Sequence, residues 1–272
     1  MSNDVASHYA GRGDLATAIA ESLGKAGKDT THLSTADLGT VDEFHIRGRK
    51  ATQELAQLMN LSAGSYVLDI GSGLGGPART LAEIYGCRVT GIDLTQAFCD
   101  AATSLSGWVG LGDKVDFRQG DATNLPFHDA TFDAAMTIHV AMNIAAKDQM
   151  YREAKRVLKP GARFAVYDVL QGEGGDVLFP VPWAREPSIS HLATPEDMTS
   201  LLSAAGFAII QTHDSTDESQ HWFEAMAARM AQSMPAVTFQ AFLGNDFPAM
   251  ARNQVSNLRD RRIRTVSYIC EA

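Results

Sequence analysis

Cysteine is sparse in this sequence: Cys87, Cys99 and Cys270 are the only three among 272 residues. They are far apart, odd in number and never arranged C-x-x-C, which excludes a disulfide framework and points to reduced, packed thiols in a cytoplasmic protein. The eight histidines include no H-E-x-x-H or comparable spacing, so nothing in the sequence supports a metal site. No apolar run approaches the ~20 residues of a membrane span. The N-terminus "MSNDVASHYAGRGD" lacks the basic-then-apolar pattern of a secretory signal. Cations are also short, 23 Lys and Arg against 32 Asp and Glu, for a net charge of −9. Phosphate tracking needs clustered cations, and the one basic cluster, "RDRRIR" at 259–264, reads as the junction of a helix end and a strand. Nucleic acid and membrane are therefore excluded as principal partners. A small molecule is the expected one, bound by a monomer or homodimer.

What is present is a pattern for a packed α/β core, with 45% apolar and 20% charged residues. From residue 65 onward, short β-rich runs alternate with amphipathic stretches. The strands are expected over 65–70, 87–93, 114–121, 132–139, 162–169 and 207–214, with a seventh, cleanly alternating, over 263–271. A helix containing "KDQMYREAKRVLKPG" is expected to stop at Pro160 and Gly161. Strands alternating with helices imply a doubly wound, seven-stranded, mostly parallel sheet. The last strand follows a long helical stretch (about 217–260) and is expected to enter antiparallel. The first sixty residues read as helical and supply no strand, so they are expected to cap the carboxyl edge of the sheet.

Residues 71–76, "GSGLGG", follow the first strand as a G-x-G-x-x-G. Such a loop allows a tight turn, close backbone approach and free N–H groups at the start of a helix. Asp93, at the end of the second strand, stands where an acid can hold ribose hydroxyls. Both features suit a dinucleotide equally well. Asp69, two residues before Gly71, does not: at ~4 Å and an effective dielectric of ~20, a carboxylate and a phosphate repel by about 4 kcal/mol. A cofactor carrying an ammonium and a sulfonium, S-adenosylmethionine, would be attracted. Asp69 can also cap the loop by accepting backbone N–H groups, and the two roles are compatible. Asp121, in "GDATNLPF" after the third strand, can accept from an adenine amino group, with Leu94 and Ala122 as apolar walls.

With "LDIGSGLGG", "GIDL", "GDATNLPF", "FDAAMTIHV" and "EAKRVLKPGARF" in register, residues 50–215 resemble the class I S-adenosylmethionine-dependent methyltransferases. Within that superfamily the chain most resembles the sarcosine/dimethylglycine N-methyltransferase group, through "DEFHIRGRKAT", "IHVAMNI", "FPVPWA" and "NLRDRRIRTV". Arg47 departs from that pattern, standing where such sequences often have a small residue. The resemblance implies a helical cap or lid over 1–60 and a cofactor-binding domain over 61–272, with acceptor-side insertions at about 170–195 and 217–260. It implies methyl transfer to a small molecule, the amine nitrogen of a glycine derivative first, and C- or O-methylation of a phenolic, quinone-like or natural-product acceptor as the alternative.

The candidate cofactor residues are Asp69, Gly71, Ser72, Gly73, Asp93, Leu94, Gly120, Asp121, Ala122 and His139. His139, at the end of the fourth strand, is either a satisfied structural histidine or a partner of the cofactor carboxylate or of the acceptor. His139 and Tyr167 are the candidate proton acceptors, with water as the third option. His45 in the lid turn, Asn143, Trp183 and Arg185 are candidates for the acceptor. An aromatic face such as that of Trp183 favours a cationic amine, and Arg185 could grip a carboxylate. The Y-x-x-x-K of "YREAK" (151–155) lies inside an amphipathic helix without its companion glycine motif and reads as coincidence.

Overall fold

In the computed structural model, which describes residues 15–25, 27–39, 41–232 and 246–272, seven strands form one sheet. They are β1 (Tyr66–Ile70), β2 (Arg88–Asp93), β3 (Val115–Gln119), β4 (Phe132–Ile138), β5 (Leu158–Gln171), β6 (Ala208–Asp214) and β7 (Ile263–Glu271). Their order is β3-β2-β1-β4-β5-β7-β6. The first five pair in parallel, and β7 inserts antiparallel between β5 and β6. The chain runs outward from β1 to β3, then returns to lay β4 on the other side of β1. That reversal opens a crevice beyond the carboxyl ends of β1 and β4, where ligands of such sheets bind.

Local chemistry explains the elements. β1 reads "YVLDI" and buries its last four residues, as expected of a central parallel strand covered on both faces. Helix α1 (Leu15–Lys25) buries Leu15, Ile19 and Leu23 at helical spacing. These join Leu38, Val41 and Leu74 in a cluster shared with Ala101 and Leu105. The short α2 (Thr35–Leu38) carries a capping box between Ser34 and Asp37. Helix α3 (Gly48–Gln57) packs on α4 (Gly76–Tyr85), which begins at the glycine loop. Helix α5 (Gln96–Trp108) follows β2, α6 (Lys147–Val157) precedes β5, and α7 (Pro195–Ala204) leads into β6. Among the described residues, the long stretch before β7 holds the helices α8 (Thr216–Gln232) and α9 (Phe247–Arg259). Residues 1–14 of the expected cap and 233–245 of the expected helical stretch lie outside the described residues.

Two boundaries differ from the sequence expectation. α6 ends at Val157 rather than at Pro160, and β5 starts at Leu158, which pairs with Phe132. The register shifts between Phe132 and Ala134, and such an irregularity accommodates Pro160 within a strand. β3 ends at Gln119 rather than 121 because Gly120 turns its N–H to the Asp93 carbonyl at 2.9 Å. All three cysteines are buried free thiols.

Candidate active site

The turn after β1 is built by backbone. Gly71 and Ser72 donate their N–H groups to the Ile92 carbonyl at 2.7 and 3.0 Å, folding the loop against the end of β2. Gly71 has φ +77°, and a Cβ there would lie 2.2 Å from Val140 Cγ2. Gly73 also has positive φ, +52°, but faces open space. Asp93 secures the same loop: its carboxylate accepts the N–H of Gly73 and that of Thr95, each at 2.9 Å. Burial raises its pKa despite these bonds.

Asp69 is 1% exposed at the end of β1. Its Oδ2 is buried with no partner. Burial first, then the nearby carboxylates of Glu43 and Asp93, push its pKa up to about 8. A buried acid oxygen left without a partner is costly and marks a place where a partner is expected. Ser72 Oγ is similarly buried and unpartnered. Asp121 accepts both the N–H and the hydroxyl of Thr123, at 2.8 and 2.7 Å, which aims the turn after β3.

The cap brings a buried polar cluster to the same place. Glu43 accepts hydrogen bonds from Thr52 and Thr80, each at 2.7 Å, and pairs with His45 Nε2 at 2.9 Å. Burial pushes the Glu43 carboxyl up, but its bonds with His45 and the hydroxyls outweigh it, leaving the pKa below its ordinary value. Asp42 meets the buried Arg79 at 2.8 Å and so ties the cap to α4. Arg47, just before α3, sits at φ +69° and pairs with Glu54.

His139, at φ +55°, donates its backbone N–H to the Tyr167 carbonyl at 2.7 Å. Its Nε2 is buried without a partner, and burial, then His45, hold its pKa well below the ordinary value. The rings of His45 and His139 lie 6.0 Å apart, edge to face. Asp168, beside them on β5, accepts the N–H groups of Val169 and Met142 at 2.8 and 3.1 Å. It thereby holds the turn after β4, and burial raises its pKa to about 7.

These groups open onto a cavity of about 600 Å³. Asp69, Gly71, Ser72, Gly73, Asp93, Leu94, Gly120, Asp121 and Ala122 line it, as do His45, His139, Asn143 and Trp183. Two expected residues are placed elsewhere. Tyr167 packs its ring 4.9 Å from that of His139, but its hydroxyl points to Ser219 Oγ at 3.5 Å and the residue does not line the cavity. Arg185 pairs with Asp246 at 3.1 Å on the surface and is also absent from the lining. Asn143 binds the carbonyls of Trp183 and Ile189 at 2.8 and 2.9 Å, so one of its tasks is to hold the acceptor-side loop. Trp183 is 1% exposed and bonds Ser190 Oγ at 3.0 Å through its indole N–H.

Several lining residues carry no sequence signal. Trp222, Phe223 and Met226 of α8 and Phe247, Ala251 and Gln254 of α9 form a wall across from the strand ends. Among the described residues, the lining contains no lysine or arginine. A pyrophosphate would therefore meet Asp69 and Asp93 with no strong cation to balance it. A ligand bearing an ammonium fits the unpartnered Oδ2 of Asp69, and a ribose and purine fit the Asp93 and Asp121 turns with Leu94 and Ala122 beside them. No group of three or more His, Cys, Asp or Glu among the described residues is placed to hold a metal. None of their helices is long and apolar enough to cross a membrane.

Comparison with known proteins agrees with this geometry. The sequence profile described as "Methyltransferase domain" matches residues 68–166. A sterol 24-C-methyltransferase of Eremothecium gossypii is 31% identical over 200 residues, covering 71% of this chain and 54% of that enzyme. The match thus spans about half the length of this curated relative. Methyltransferase GfsG of Streptomyces halstedii is 30% identical over 190 residues, 68% of this chain and 67% of that protein. Among solved structures, the 4+2 cyclase SpnF superimposes with a TM-score of 0.71 at 25% identity, over 100% of this chain and 96% of that one. A structure assigned as a sarcosine dimethylglycine methyltransferase of Galdieria sulphuraria gives a TM-score of 0.66 at 19% identity, over 82% and 83%. That likeness is one of fold alone, so the resemblance to the sarcosine group narrows to a distant structural one.

Proposed function

The chain belongs to the class I S-adenosylmethionine-dependent methyltransferases, and we propose that it methylates a small, largely apolar acceptor at oxygen or carbon. One observation carries this reading: the acceptor side of the cavity is walled by Trp183, Ile189, Trp222, Phe223, Met226 and Phe247, with no lysine or arginine among the described lining residues. A glycine derivative, the acceptor first expected from the sequence, presents a carboxylate that needs a cation, and Arg185 is turned to Asp246 instead. The sterol enzyme's name, a C-methyltransferase, supports the same choice. In this reading the segment up to residue 60 is a cap and 61–272 the methyltransferase domain, with the insertions at about 170–195 and 217–260 walling the acceptor.

The bound cofactor supplies an electrophilic methyl on a sulfonium. Asp69 holds its ammonium, Asp93 orients its ribose and Asp121 its purine, while the apolar wall excludes water and aligns the acceptor. Such alignment accounts for much of the rate in an in-line displacement, with effective molarities of ~10⁵ M or more. For a hydroxyl acceptor, neutral His139 would take the hydroxyl proton, while the acceptor oxygen would gain the methyl as its bond to sulfur breaks and the neutral thioether leaves.

A mass-spectrometric screen with S-adenosylmethionine tests this, using phenols, enolisable ketones and terpenoid alcohols beside glycine, sarcosine and dimethylglycine. Gain of one methyl group confined to the apolar set supports the proposal. Methylation confined to the glycine series overturns it.

A further inference from the structure

Helix α9 carries three side-chain amides within five residues, and two of them bind the loop after β5. Asn253 Nδ2 donates to the Pro180 carbonyl at 3.0 Å. Asn257 donates to the Leu178 carbonyl at 3.0 Å and accepts the Leu178 N–H at 2.9 Å. Together they clamp the loop after β5 onto the helix. Gln254 lies between them, 6% exposed overall, and lines the cavity. It falls in line with Phe247 and Ala251, at i, i+4 and i+7, so the helix turns this one stripe into the cavity. The other residues of that stripe, and those that α8 presents beside it, Trp222, Phe223 and Met226, are apolar.

An amide facing a cavity from an apolar wall pairs with water or with a ligand. A leucine or methionine there would make the wall wholly apolar. Gln254 is therefore placed to pair with a bound ligand. Its amide offers two donors and one acceptor oxygen, enough to pair a hydroxyl or a carbonyl.

We propose that Gln254 is the residue that selects the acceptor, by hydrogen-bonding a hydroxyl or carbonyl carried on an otherwise apolar scaffold. This rests on the apolar-acceptor reading above and narrows it. The acceptor is then an oxygenated hydrocarbon, and one lacking that oxygen is discriminated against. Sites built to pair a ligand's polar group reject the analogue without it more strongly than apolar pockets reject an added methylene. Ala251, one turn away on the same stripe, leaves room for the ligand beside the amide.

The test uses the enzyme loaded with S-adenosylhomocysteine and a matched pair of probes, naphthalene and 2-naphthol, in equilibrium dialysis. Wild type is expected to bind both, with 2-naphthol roughly tenfold tighter, the worth of about one net hydrogen bond. In Gln254→Met, which keeps the shape, and in Gln254→Leu, that preference is expected to vanish while naphthalene binds at least as well. Affinity for S-adenosylhomocysteine and the thermal midpoint, both expected to stay at wild-type level, report that the variants fold. If the preference for 2-naphthol persists in both variants, another group reads the oxygen and the proposal fails. If neither probe binds wild type, the apolar-acceptor reading itself fails, a result separate from the first.

Discussion

Asp93 Oδ2 accepts the backbone N–H of Gly73 at 2.9 Å, so the end of β2 fixes the glycine loop that leaves β1. One carboxylate thereby does two things: it shapes the loop and faces the cavity where a ribose would lie. Asp93→Ala removes a charged acceptor from two backbone N–H groups and from the cofactor. Hydrogen bonds to charged groups are each worth about 1.5–3 kcal/mol, so affinity for S-adenosylhomocysteine is expected to fall about 10- to 100-fold by calorimetry. Wild-type affinity would remove Asp93 from the site.

The two positive-φ glycines flanking Ser72 should respond differently to alanine. Gly71→Ala combines left-handed backbone with a Cβ 2.2 Å from Val140 Cγ2. Backbone strain of about 1–2 kcal/mol adds to overpacking of about 1–3 kcal/mol. Gly73→Ala carries the backbone term only, since its Cβ meets open space. Thermal unfolding should therefore show Gly71→Ala several degrees below Gly73→Ala, at about 2–4 °C per kcal/mol for a chain of this size. Equal midpoints would contradict the packing described for the loop.

His139 is held neutral by burial, then by His45, well below the ordinary histidine value. A base that is already deprotonated gives no acid limb near its ordinary pKa of about 6.5. The rate of methyl transfer to a hydroxyl acceptor should therefore show no inflection there. His139→Phe should lower kcat by about 10²- to 10⁴-fold, with affinity for S-adenosylhomocysteine close to wild type. A clear inflection near 6.5 in wild type, absent from the variant, would mean that His139 titrates normally.

Much of this was legible from the residues. Period and spacing located all seven strands, and the antiparallel β7 followed from its late position after a long excursion. The acids at strand ends were legible because each stands one or two residues from a turn, where a parallel sheet exposes its ligand face. Other parts were not. Gln254, Trp222, Phe223 and Met226 lie on helices with no motif, and only the packing of α8 and α9 turns their stripes inward. Glu43 was visible in "DEFH", but its pairing with His45 depends on how the cap folds back onto α4. Tyr167 lies within β5 beside His139, yet side chains alternate along a strand, and the sequence alone does not say which side faces the cavity. Arg185 sits in a loop that Asn253 and Asn257 clamp onto α9 through Pro180 and Leu178.

The central claim is that Asp69 makes this glycine loop a cradle for a cation, and proton linkage tests it most directly. Burial, with Glu43 and Asp93 nearby, raises Asp69 from its ordinary value to about 8. In the free protein the acid therefore keeps its proton at neutral pH, and the stability this proton gives is lost as pH rises from about 4 through 8. An arriving ammonium favours the carboxylate and draws that pKa down. Binding of S-adenosylhomocysteine should thus expel a proton, and affinity should rise, by at most about tenfold per unit, between pH 6 and 8. Calorimetry in buffers of different ionisation enthalpy reads both. The account predicts proton release at pH 7 in wild type, none in Asp69→Asn, and no binding of NADH by either. A pH-independent affinity with no proton released, or tight NADH binding, would contradict it.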